Sequence, residues 1–451
     1  MTGLHFGRAL TPQGWRRDVR IETAGAVIAR VTPGASPEPG DERHAIGLPG
    51  MPNLHSHAFQ RGMAGLAEMR GSAPDSFWTW RELMYRFALT TDPEDIEAIA
   101  AQLYVEMLEA GFTRVGEFHY LHHDRDGRPY ADVAEMAGRI AAAARKTGIG
   151  LTLLPVFYAH GNFGGAPPSP GQRRFICDLD LYARLLDASR RAVADLPGSA
   201  VGVAPHSLRA VAPEELAAIV ALAASGPVHI HVAEQVKEVE DCLAWSGARP
   251  VEWLLGHADI DARWCFIHAT HMTSDETRRL AESGAVAGLC PVTEANLGDG
   301  IFPGPAYVAS GGRFGIGSDS NIRIGVADEL RQLEYAQRLR DRARNVMAVA
   351  SGSTGRALFE AALHGGAAAL ASGAAGLVPG ASADMVSLRA DHPLLVGRDG
   401  DALLDSWIFA GGSDLVDCVW TRGVKRVARG RHLGRDAVAP RFKAAMVRLT
   451  A

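Results

Sequence analysis

The sequence predicts an α/β protein: a closed (β/α)8 (TIM) barrel with a small β-sandwich domain formed from the N- and C-terminal segments. Two observations favour this fold. Eight short apolar runs rich in Val, Ile and Leu alternate with longer segments of helical composition, over a span close to the roughly 250 residues that such a barrel needs. Both ends of the chain instead show the alternating pattern of β-strands.

The eight candidate strands come first. They are "GLPGMPNLH" (47–55), "FTRVGEF" (112–118), "IGLTLLPVFY" (149–158), "AVGVAP" (200–205), "PVHIHVA" (227–233), "WCFIHAT" (264–270), "AVAGLCP" (285–291) and "RFGIGSD" (313–319). The segments between them include "DPEDIEAIAAQLYVEMLEAG" (92–111), which closes on a glycine as helices commonly do. An open doubly wound sheet is the competing architecture, but no G-x-G-x-x-G turn follows the first strand.

The two ends are expected to form the second domain. Residues 14–34 alternate like a β-hairpin, and two strand-like segments, 383–391 and 415–433, follow the barrel. We therefore assign residues 1–46 and 380–451 to the small β-sandwich domain and 47–379 to the barrel. The Ala/Gly-rich stretch at 365–377 indicates tight helix packing or turns.

Composition excludes several classes of protein. Hydrophobic residues make up 47% of the 451 residues and the net charge is −5, which is ordinary for a globular enzyme and argues against binding a polyanion. The five cysteines are odd in number and form no CxxC pair, which favours a reducing, cytoplasmic location. The N-terminus has no signal-peptide pattern, and no window reaches the roughly 18 apolar residues of a membrane span.

Polar residues fall where the chemistry of such a barrel is found, at the C-terminal ends of the strands. The residues at or just after these ends are His55, His57, His119, Tyr120, His206, His231, Glu234, His268 and Asp319. A single histidine is more often structural than metal-binding, but 17 scattered histidines would seldom gather at strand ends. Three imidazoles and a carboxylate suit Zn²⁺ or Fe²⁺, with one position left open for water.

These motifs resemble the amidohydrolase superfamily. The resemblance rests on the HxH of strand one, the HxxE of "HVAE" on strand five, His268 on strand six and Asp319 on strand eight, and it covers nearly the whole chain. The strings "PGMPNLHSHAFQRGMAGLAE", "APHSLRAV", "HIHVAEQ" and "CPVTEANLGDGIFP" are similar, within it, to the formimidoylglutamate deiminase family. The resemblance implies hydrolysis of N-formimino-L-glutamate to N-formyl-L-glutamate and ammonia, in histidine degradation.

The resemblance also implies one divalent metal. Two-metal members of the superfamily usually carry a carboxylated lysine or a glutamate at the end of strand four, where this chain has "APHS" and His206. The chain has only four lysines, and none of them lies there. The implied ligands are His55, His57, His231 and Asp319, with Zn²⁺ the expected ion and Fe²⁺ the alternative.

Three residues carry the expected proton chemistry. The metal would lower the pKa of its water to about 7, and hydroxide would attack the amidine carbon to give a tetrahedral intermediate that expels ammonia. Glu234 is expected to move protons to the departing nitrogen, His268 to act on the water or the intermediate, and Asp319 to take a proton as well as bind metal. Glu234 could instead be a surface carboxylate at a helix start.

The expected substrate is a small anion with two carboxylates, which arginine binds through its planar fork. The family resemblance supports five contacts: Gln60, Arg81, Tyr120, His206 and Arg209. Nearly all of the 46 basic residues are arginines, and most of these must be solvated surface charges. An alternative for Arg81 is therefore a surface ion pair with Glu82 or Asp75.

Other polar and aromatic groups have simpler interpretations. Phe77, Trp78 and Trp80 are more typical of a helix packing face than of a substrate wall. "HYLHHDRDG" (119–127) indicates a polar surface loop rather than a second metal site. In the loop after strand seven, Glu294 and Asn296 are candidates for lining the pocket, and Ser320 is a candidate for supporting Asp319.

Two other functions stay open. The first is deamination of a nucleobase or other cyclic amidine, as in guanine or cytosine deaminases, by the same metal chemistry. The second is a barrel that binds metal and ligand without catalysis, which loss of a ligand or of the proton shuttle would favour. We expect no nucleic-acid partner and no membrane contact, and the superfamily resemblance implies a homodimer.

Overall fold

A computed structural model describes residues 2–70, 75–348 and 350–451. Its strands are β1 Thr2–Thr11, β2 Gly14–Ala24, β3 Val27–Thr32, β4 Glu42–Pro49, β5 Met51–Ser56, β6 Phe112–His119, β7 Gly150–Phe157, β8 Ala200–Val201, β9 Ala204–Pro205, β10 Val228–Val232, β11 Trp264–His268, β12 Val286–Leu289, β13 Arg313–Ile316, β14 Met385–Leu388, β15 Val416–Thr421, β16 Val424–Ala428 and β17 Arg431–His432.

The strands are connected mainly by helices. These are α1 Phe77–Ala88, α2 Pro93–Glu109, α3 Glu135–Thr147, α4 Leu179–Ala192, α5 Pro213–Leu222, α6 Val236–Ser246, α7 Pro250–His257, α8 Ser274–Glu282, α9 Pro291–Leu297, α10 Gly304–Ala309, α11 Val326–Asp341, α12 Thr354–Ala369, α13 Asp401–Phe409 and α14 Arg435–Leu449. Three short 3-10 helices add Ala58–Met63, Pro170–Gln172 and Ser413–Leu415.

The central strands form two parallel sheets. One has the order β5-β6-β7-β8, with β9 also paired to β7, and the other has the order β10-β11-β12-β13. Isolated parallel bridges join Val203 to Val228 and Ser56 to Asp319, so each sheet touches the other at both edges. The α/β fold with parallel strands is therefore confirmed.

The sequence pattern explains why these strands lie in the centre. Strands β5, β6, β7, β10, β11 and β12 are buried along their whole length, as expected for parallel strands covered on both faces. Helix α12 packs against β13 through its glycines, since a Cβ on Gly365 would lie 1.8 Å from the Phe314 carbonyl oxygen. At its end, the carbonyls of Ala369 and Leu370 accept hydrogen bonds from His229 of β10 and Thr152 of β7. The expectation of tight helix packing at 365–377 fits this contact.

The two ends of the chain share one sheet of eight strands. Its order is β17-β16-β15-β14-β4-β1-β2-β3, so strands from both terminal segments are neighbours in it. β4 pairs with β1 in parallel and with β14 in antiparallel, which joins the first segment to the last. The expected hairpin is β2 and β3. The division of the chain at 46 and 380, and the sandwich, stay predictions.

Two of the predicted strands differ from the strands observed in the structure. The run at 47–55 spans the end of β4 and the start of β5, because Gly50 separates a strand of the terminal sheet from a strand of the central sheet. The run at 200–205 is broken into β8 and β9. None of the helices in the described ranges is both long and apolar enough to span a membrane.

Candidate active site

Four buried side chains from the ends of three strands converge on one point. The Nε2 atom of His55 lies 3.2 Å from Nε2 of His57 and 3.1 Å from Nε2 of His231. The Asp319 Oδ1 atom lies 3.4 Å from Nε2 of His55 and 3.2 Å from Nε2 of His57. Their ligand atoms all lie within 4.8 Å of one another. These are the four residues that the sequence analysis selected as metal ligands.

The geometry fits a divalent metal ion. Donors bound about 2.0–2.1 Å from a tetrahedral ion are themselves about 3.3 Å apart, as these are. The Nδ1 atoms of His57 and His231 face the carbonyls of Phe118 and His206, so each Nε2 presents a lone pair to the others. Lone pairs crowded together without a shared proton repel, and a cation between them removes the repulsion.

The charge of the cluster also suits a cation. Burial lowers the pKa of His55 to about 3, and burial together with the neighbouring imidazoles lowers the pKa of His231 well below its usual value. Burial alone would raise the pKa of Asp319, but its hydrogen bond with His55 and the nearby imidazoles hold it below the usual range. Three neutral imidazoles and one carboxylate are thus ready to bind metal.

Strained backbone shapes the strand ends. Ala233, His268 and Asp319 have φ angles of 51°, 69° and 44°, in a region that favours glycine. Asn321, with φ of 58°, supports this turn: its amide donates to the carbonyls of Asp319 and His57 at 2.9 and 3.0 Å. Its Oδ1 accepts a hydrogen bond from Ser318. This network holds the Asp319 turn against the strand that carries His55 and His57.

Glu234 and His268 lie beside the cluster. The Glu234 Oε1 and Asp319 Oδ2 atoms lie 3.7 and 3.8 Å from Nε2 of His268, and Glu294 Oε1 lies 3.2 Å from its Nδ1. Burial lowers the pKa of His268, but the three carboxylates outweigh burial and raise it to about 10. Burial raises the pKa of Glu234 to about 7, although His268 and Arg209 oppose it. A carboxyl with that pKa can both accept and release a proton at neutral pH.

A cavity opens over these groups. It brings together His57, His231, Asp319, Glu234 and His268 with all five of the residues expected to contact substrate, Gln60, Arg81, Tyr120, His206 and Arg209. Helix α1 forms one wall. The part of the chain that the structure describes offers neither Arg81 nor Arg209 an ion pair or hydrogen bond, and the Nε atom of each is buried without a partner. The alternative in which Arg81 pairs with Glu82 or Asp75 is therefore wrong.

Gln60, Tyr120 and His206 lie between the arginines and the cluster. Gln60 Nε2 donates to the Tyr120 hydroxyl at 2.8 Å, while its Oε1 is buried and accepts no hydrogen bond from any residue that the structure describes. Burial and the charge of Arg209 lower the pKa of His206 well below its usual value, so its imidazole is neutral. The three side chains offer hydrogen bonds without adding charge.

Two interpretations of the sequence are corrected. Phe77 and Trp80 line the cavity instead of only packing the helix, because α1 lies across the mouth. His119, His122 and His123 are not in an exposed loop: all three are at most 4% exposed. His122 and His123 face the carbonyls of Val156 and Ile176, which explains their burial.

The three remaining site candidates, Glu294, Asn296 and Ser320, lie in different surroundings. Glu294 contacts His268 and accepts a hydrogen bond from the Cys290 amide at 2.9 Å. Asn296 is exposed and donates to Glu68, away from the cavity. Ser320 is buried, with its hydroxyl 3.0 Å from that of Thr293. Ser320 thus supports the Asp319 turn from the side of α9.

Sequence reasoning missed Glu117 and Asp299. Glu117 is buried beneath the HxH segment, where it accepts hydrogen bonds from the Ala58 amide at 2.6 Å and the Tyr104 hydroxyl at 3.1 Å. A carboxylate oxygen of Asp299 lies within 4.8 Å of possible ligand atoms of Glu234 and His268. Among the residues that the structure describes, its Oδ2 has no hydrogen-bond partner although it is buried. Glu117 is at position six of a predicted strand, where a carboxylate is unusual, and that was the available signal.

Two family models match consecutive parts of the chain. Residues 46–425 match the Amidohydrolase family, and residues 1–45 match the family described as "Formimidoylglutamate deiminase HutF, N-terminal domain". Formimidoylglutamate deiminase of Pseudomonas aeruginosa is 53% identical over 445 residues, covering 98% of both chains.

Two solved structures are also similar to this chain. An amidohydrolase from Brucella melitensis is 59% identical, with a TM-score of 0.97 and full coverage of both chains. An adenosine deaminase from Xanthomonas campestris with bound zinc shares the fold at 21% identity, with a TM-score of 0.82 over 100% of this chain and 98% of that one. The family match covers most of the chain, including the strand ends that carry the converging histidines and Asp319. The protein therefore belongs to the amidohydrolase family.

Proposed function

We propose that the protein hydrolyses N-formimino-L-glutamate to N-formyl-L-glutamate and ammonia. One observation carries the choice of substrate: the unpaired guanidinium groups of Arg81 and Arg209 share a cavity with the histidine–aspartate cluster. Such a cavity suits a molecule with anionic groups at one end and a hydrolysable carbon at the other. The similarity to the Pseudomonas aeruginosa formimidoylglutamate deiminase supports the same reaction.

The two arginines distinguish this substrate from a nucleobase. A buried guanidinium without a counter-ion is costly, so the cavity is built for an anion that supplies the missing charge. The substrate has two carboxylates, one for each arginine in this proposal. A neutral planar ring would leave both cations unpaired, which disfavours the nucleobase alternative.

We propose that His55, His57, His231 and Asp319 hold one divalent ion, Zn²⁺ first and Fe²⁺ as the alternative. A divalent ion bound there would lower the pKa of water to about 7 and so supply hydroxide at neutral pH. The carbonyls of Phe118 and His206 fix the rings of His57 and His231. Asn321 fixes the Asp319 turn.

The protein's own proton chemistry centres on Glu234. As the oxygen of water bonds to the amidine carbon, Glu234 takes the proton that the water loses and gives it to the terminal nitrogen. A second transfer, from the new hydroxyl to the same nitrogen, breaks the carbon–nitrogen bond and releases ammonia. His268 is held as a cation by Glu234, Glu294 and Asp319, and in this role it donates to the oxygen of the tetrahedral carbon.

The other contacts follow from the free atoms in the cavity. Gln60 presents its unpaired Oε1, which accepts a hydrogen bond from the formimino nitrogen. Tyr120 orients Gln60 through its hydroxyl, and the neutral imidazole of His206 bonds the substrate between the arginines and the cluster. Asp319 serves both as a metal ligand and as a second proton acceptor.

We also propose the finer architecture. The bridges at both sheet edges support a closed (β/α)8 barrel, with β8 and β9 together supplying the fourth strand. We assign residues 1–46 and 380–451 to a small β-sandwich domain and residues 47–379 to the barrel. Two observations support this division: both terminal segments share the eight-stranded sheet, and the two family matches meet at residues 45 and 46.

A cytoplasmic homodimer completes the proposal. It follows from the superfamily resemblance and from cysteine usage without an even framework. Sedimentation of the purified protein at micromolar concentration tests the dimer, and a monomer at all concentrations would contradict it. Fractionation of the source cells tests the location.

Ammonia release tests the reaction directly. The purified protein is loaded with Zn²⁺ or Fe²⁺ and offered N-formimino-L-glutamate, guanine and cytosine in separate assays. We expect ammonia from N-formimino-L-glutamate and none from the bases. Ammonia from a base alone would overturn the substrate, and no ammonia from any of them would favour a protein that binds without catalysis.

A further inference from the structure

One aromatic ring lies against both arginines of the cavity. The Arg81 Cζ atom is 4.6 Å from the ring centroid of Trp78, and the Arg209 Cζ atom is 5.8 Å from the same centroid. Trp78 and Arg81 are three residues apart on α1 and so lie on the same side of that helix. Arg209 comes from the opposite wall, after β9. Trp78 thus connects α1 to the wall after β9 through the Arg209 guanidinium.

This contact compensates for a missing counter-ion. Arg209 is 7% exposed, and carboxylates farther away, among them Glu238, outweigh burial and raise its pKa, so its guanidinium stays charged. Within the described ranges, no carboxylate forms an ion pair with either guanidinium. Two cations near each other repel, and the negative face of an aromatic ring attracts a cation. The Tyr85 ring faces Arg81 as well, at 5.5 Å, but the indole of Trp78 faces both guanidinium groups.

Trp78 itself is not among the residues that line the cavity, although its neighbours Phe77, Trp80 and Arg81 are. It therefore acts on the substrate through the arginines. Elsewhere on α1, the Tyr85 hydroxyl accepts a hydrogen bond from Gln172 Nε2 at 3.3 Å. Loss of the indole would remove the one ring that both guanidinium groups share, leaving Arg81 beside Tyr85 alone.

We propose that Trp78 is a positioning residue that determines specificity: its indole holds Arg81 and Arg209 at the spacing that recognises a substrate with two carboxylates. The inference rests on the proposed function and deepens it. A substrate with one carboxylate engages only one of the two cations and gains less from their spacing. Trp78 therefore sets the preference for a diacid over a monoacid.

The test compares three variants of the full-length metal-loaded enzyme. Trp78→Leu removes the aromatic face and keeps apolar bulk, whereas Trp78→Phe keeps a smaller aromatic face. Leu83→Ala is the control, because Leu83 packs on the core from the same helix and does not line the cavity. Each enzyme is assayed with N-formimino-L-glutamate and with N-formiminoglycine, which has one carboxylate.

We expect Trp78→Leu to raise KM for the diacid about tenfold, with kcat changed less than about threefold, since two contacts of this kind are lost. The diacid-to-monoacid ratio of kcat/KM should fall by a similar factor, Trp78→Phe should recover part of it, and Leu83→Ala should leave it unchanged. An unchanged ratio in Trp78→Leu, or an equal fall in Leu83→Ala, would overturn the proposal.

Calorimetry separates this outcome from a failure of the proposed reaction. Glutarate carries two carboxylates and no amidine, so its binding does not depend on turnover. We expect Trp78→Leu to bind glutarate about tenfold more weakly than the wild type. If the wild type releases no ammonia but this difference persists, the reaction is wrong and the role of Trp78 stands; equal glutarate affinity contradicts the role of Trp78.

Discussion

The Nε2 atoms of His55 and His231 lie 3.1 Å apart, although the two residues are 176 positions apart in the chain. His55 belongs to β5 and His231 to β10, which lie in different parallel sheets. The Nδ1 atom of His231 is engaged by the His206 carbonyl, so its Nε2 cannot also carry a proton in the neutral ring. The contact is therefore built for a shared cation, and a cation bound there would tie the two sheets together.

His231→Ala should lose most of the bound metal, because it removes one of four ligands. The measurement is metal content per chain by elemental analysis after gel filtration. His229→Gln is the matched control, since His229 also lies on β10 but bonds the Ala369 carbonyl at 2.7 Å, and an amide can replace that donor. Full metal content in His231→Ala would remove it from the ligand set.

Metal removal should destabilise the wild type. Binding to the folded state alone adds about 2.7 kcal/mol when free metal is 100 times its dissociation constant, so a chelator should lower the thermal midpoint by several degrees. Returning Zn²⁺ should restore it. His231→Ala should show little response to either treatment, and an equal response would mean that the stabilising ion binds elsewhere.

Glu234→Gln should keep the metal and lose turnover by about 10²- to 10⁴-fold, because the amide cannot carry protons. Glu234 faces His268 at 3.7 Å and is not one of the four converging ligands. Metal content and ammonia release are measured on the same preparation. If the metal is lost together with the activity, Glu234 is a ligand and its assignment as proton carrier is wrong.

The sequence was most informative where local pattern determines position. Strand periodicity locates the strand ends, and parallel strands bring their ends to one edge. His55, His231 and Asp319 can therefore be grouped from the sequence alone. The hairpin of β2 and β3 follows from alternation in the same way.

Other features depend on packing between distant segments. Burial of His119, His122 and His123 requires carbonyls supplied by residues 156 and 176, which a local polar pattern does not reveal. The position of α1 across the cavity turned Phe77 and Trp80 into lining residues. Asn321 reads as an ordinary turn residue, and its support of His57 appears only when β5 and β13 are neighbours.

Arg209→Met should weaken substrate use through KM. The variant keeps length and apolar stem but removes a buried charge that has no ion pair or hydrogen bond within the described ranges. The substrate therefore loses a charged hydrogen bond worth about 1.5–3 kcal/mol, or roughly 10- to 150-fold in kcat/KM. Steady-state ammonia release with N-formimino-L-glutamate measures this. Arg190→Met, at an exposed position on α4, is the control and should behave as wild type. A fall in kcat alone would place Arg209 in the chemistry instead of in carboxylate binding.

Two glycines inside helices should respond to alanine with opposite signs. A Cβ on Gly365 of α12 would lie 1.8 Å from the Phe314 carbonyl oxygen, so Gly365→Ala must push the helix off β13 and should lower the free energy of unfolding by about 3 kcal/mol. A Cβ on Gly138 of α3 meets no atom within 4 Å, so Gly138→Ala should gain about 1 kcal/mol from helix propensity. Urea unfolding followed by circular dichroism measures both.

Because α12 also supplies the Ala369 carbonyl to His229, Gly365→Ala should weaken metal retention as well, whereas Gly138→Ala should leave it unchanged. Equal midpoints for the two variants would mean that α12 tolerates displacement and that its contact with β13 does not support the site.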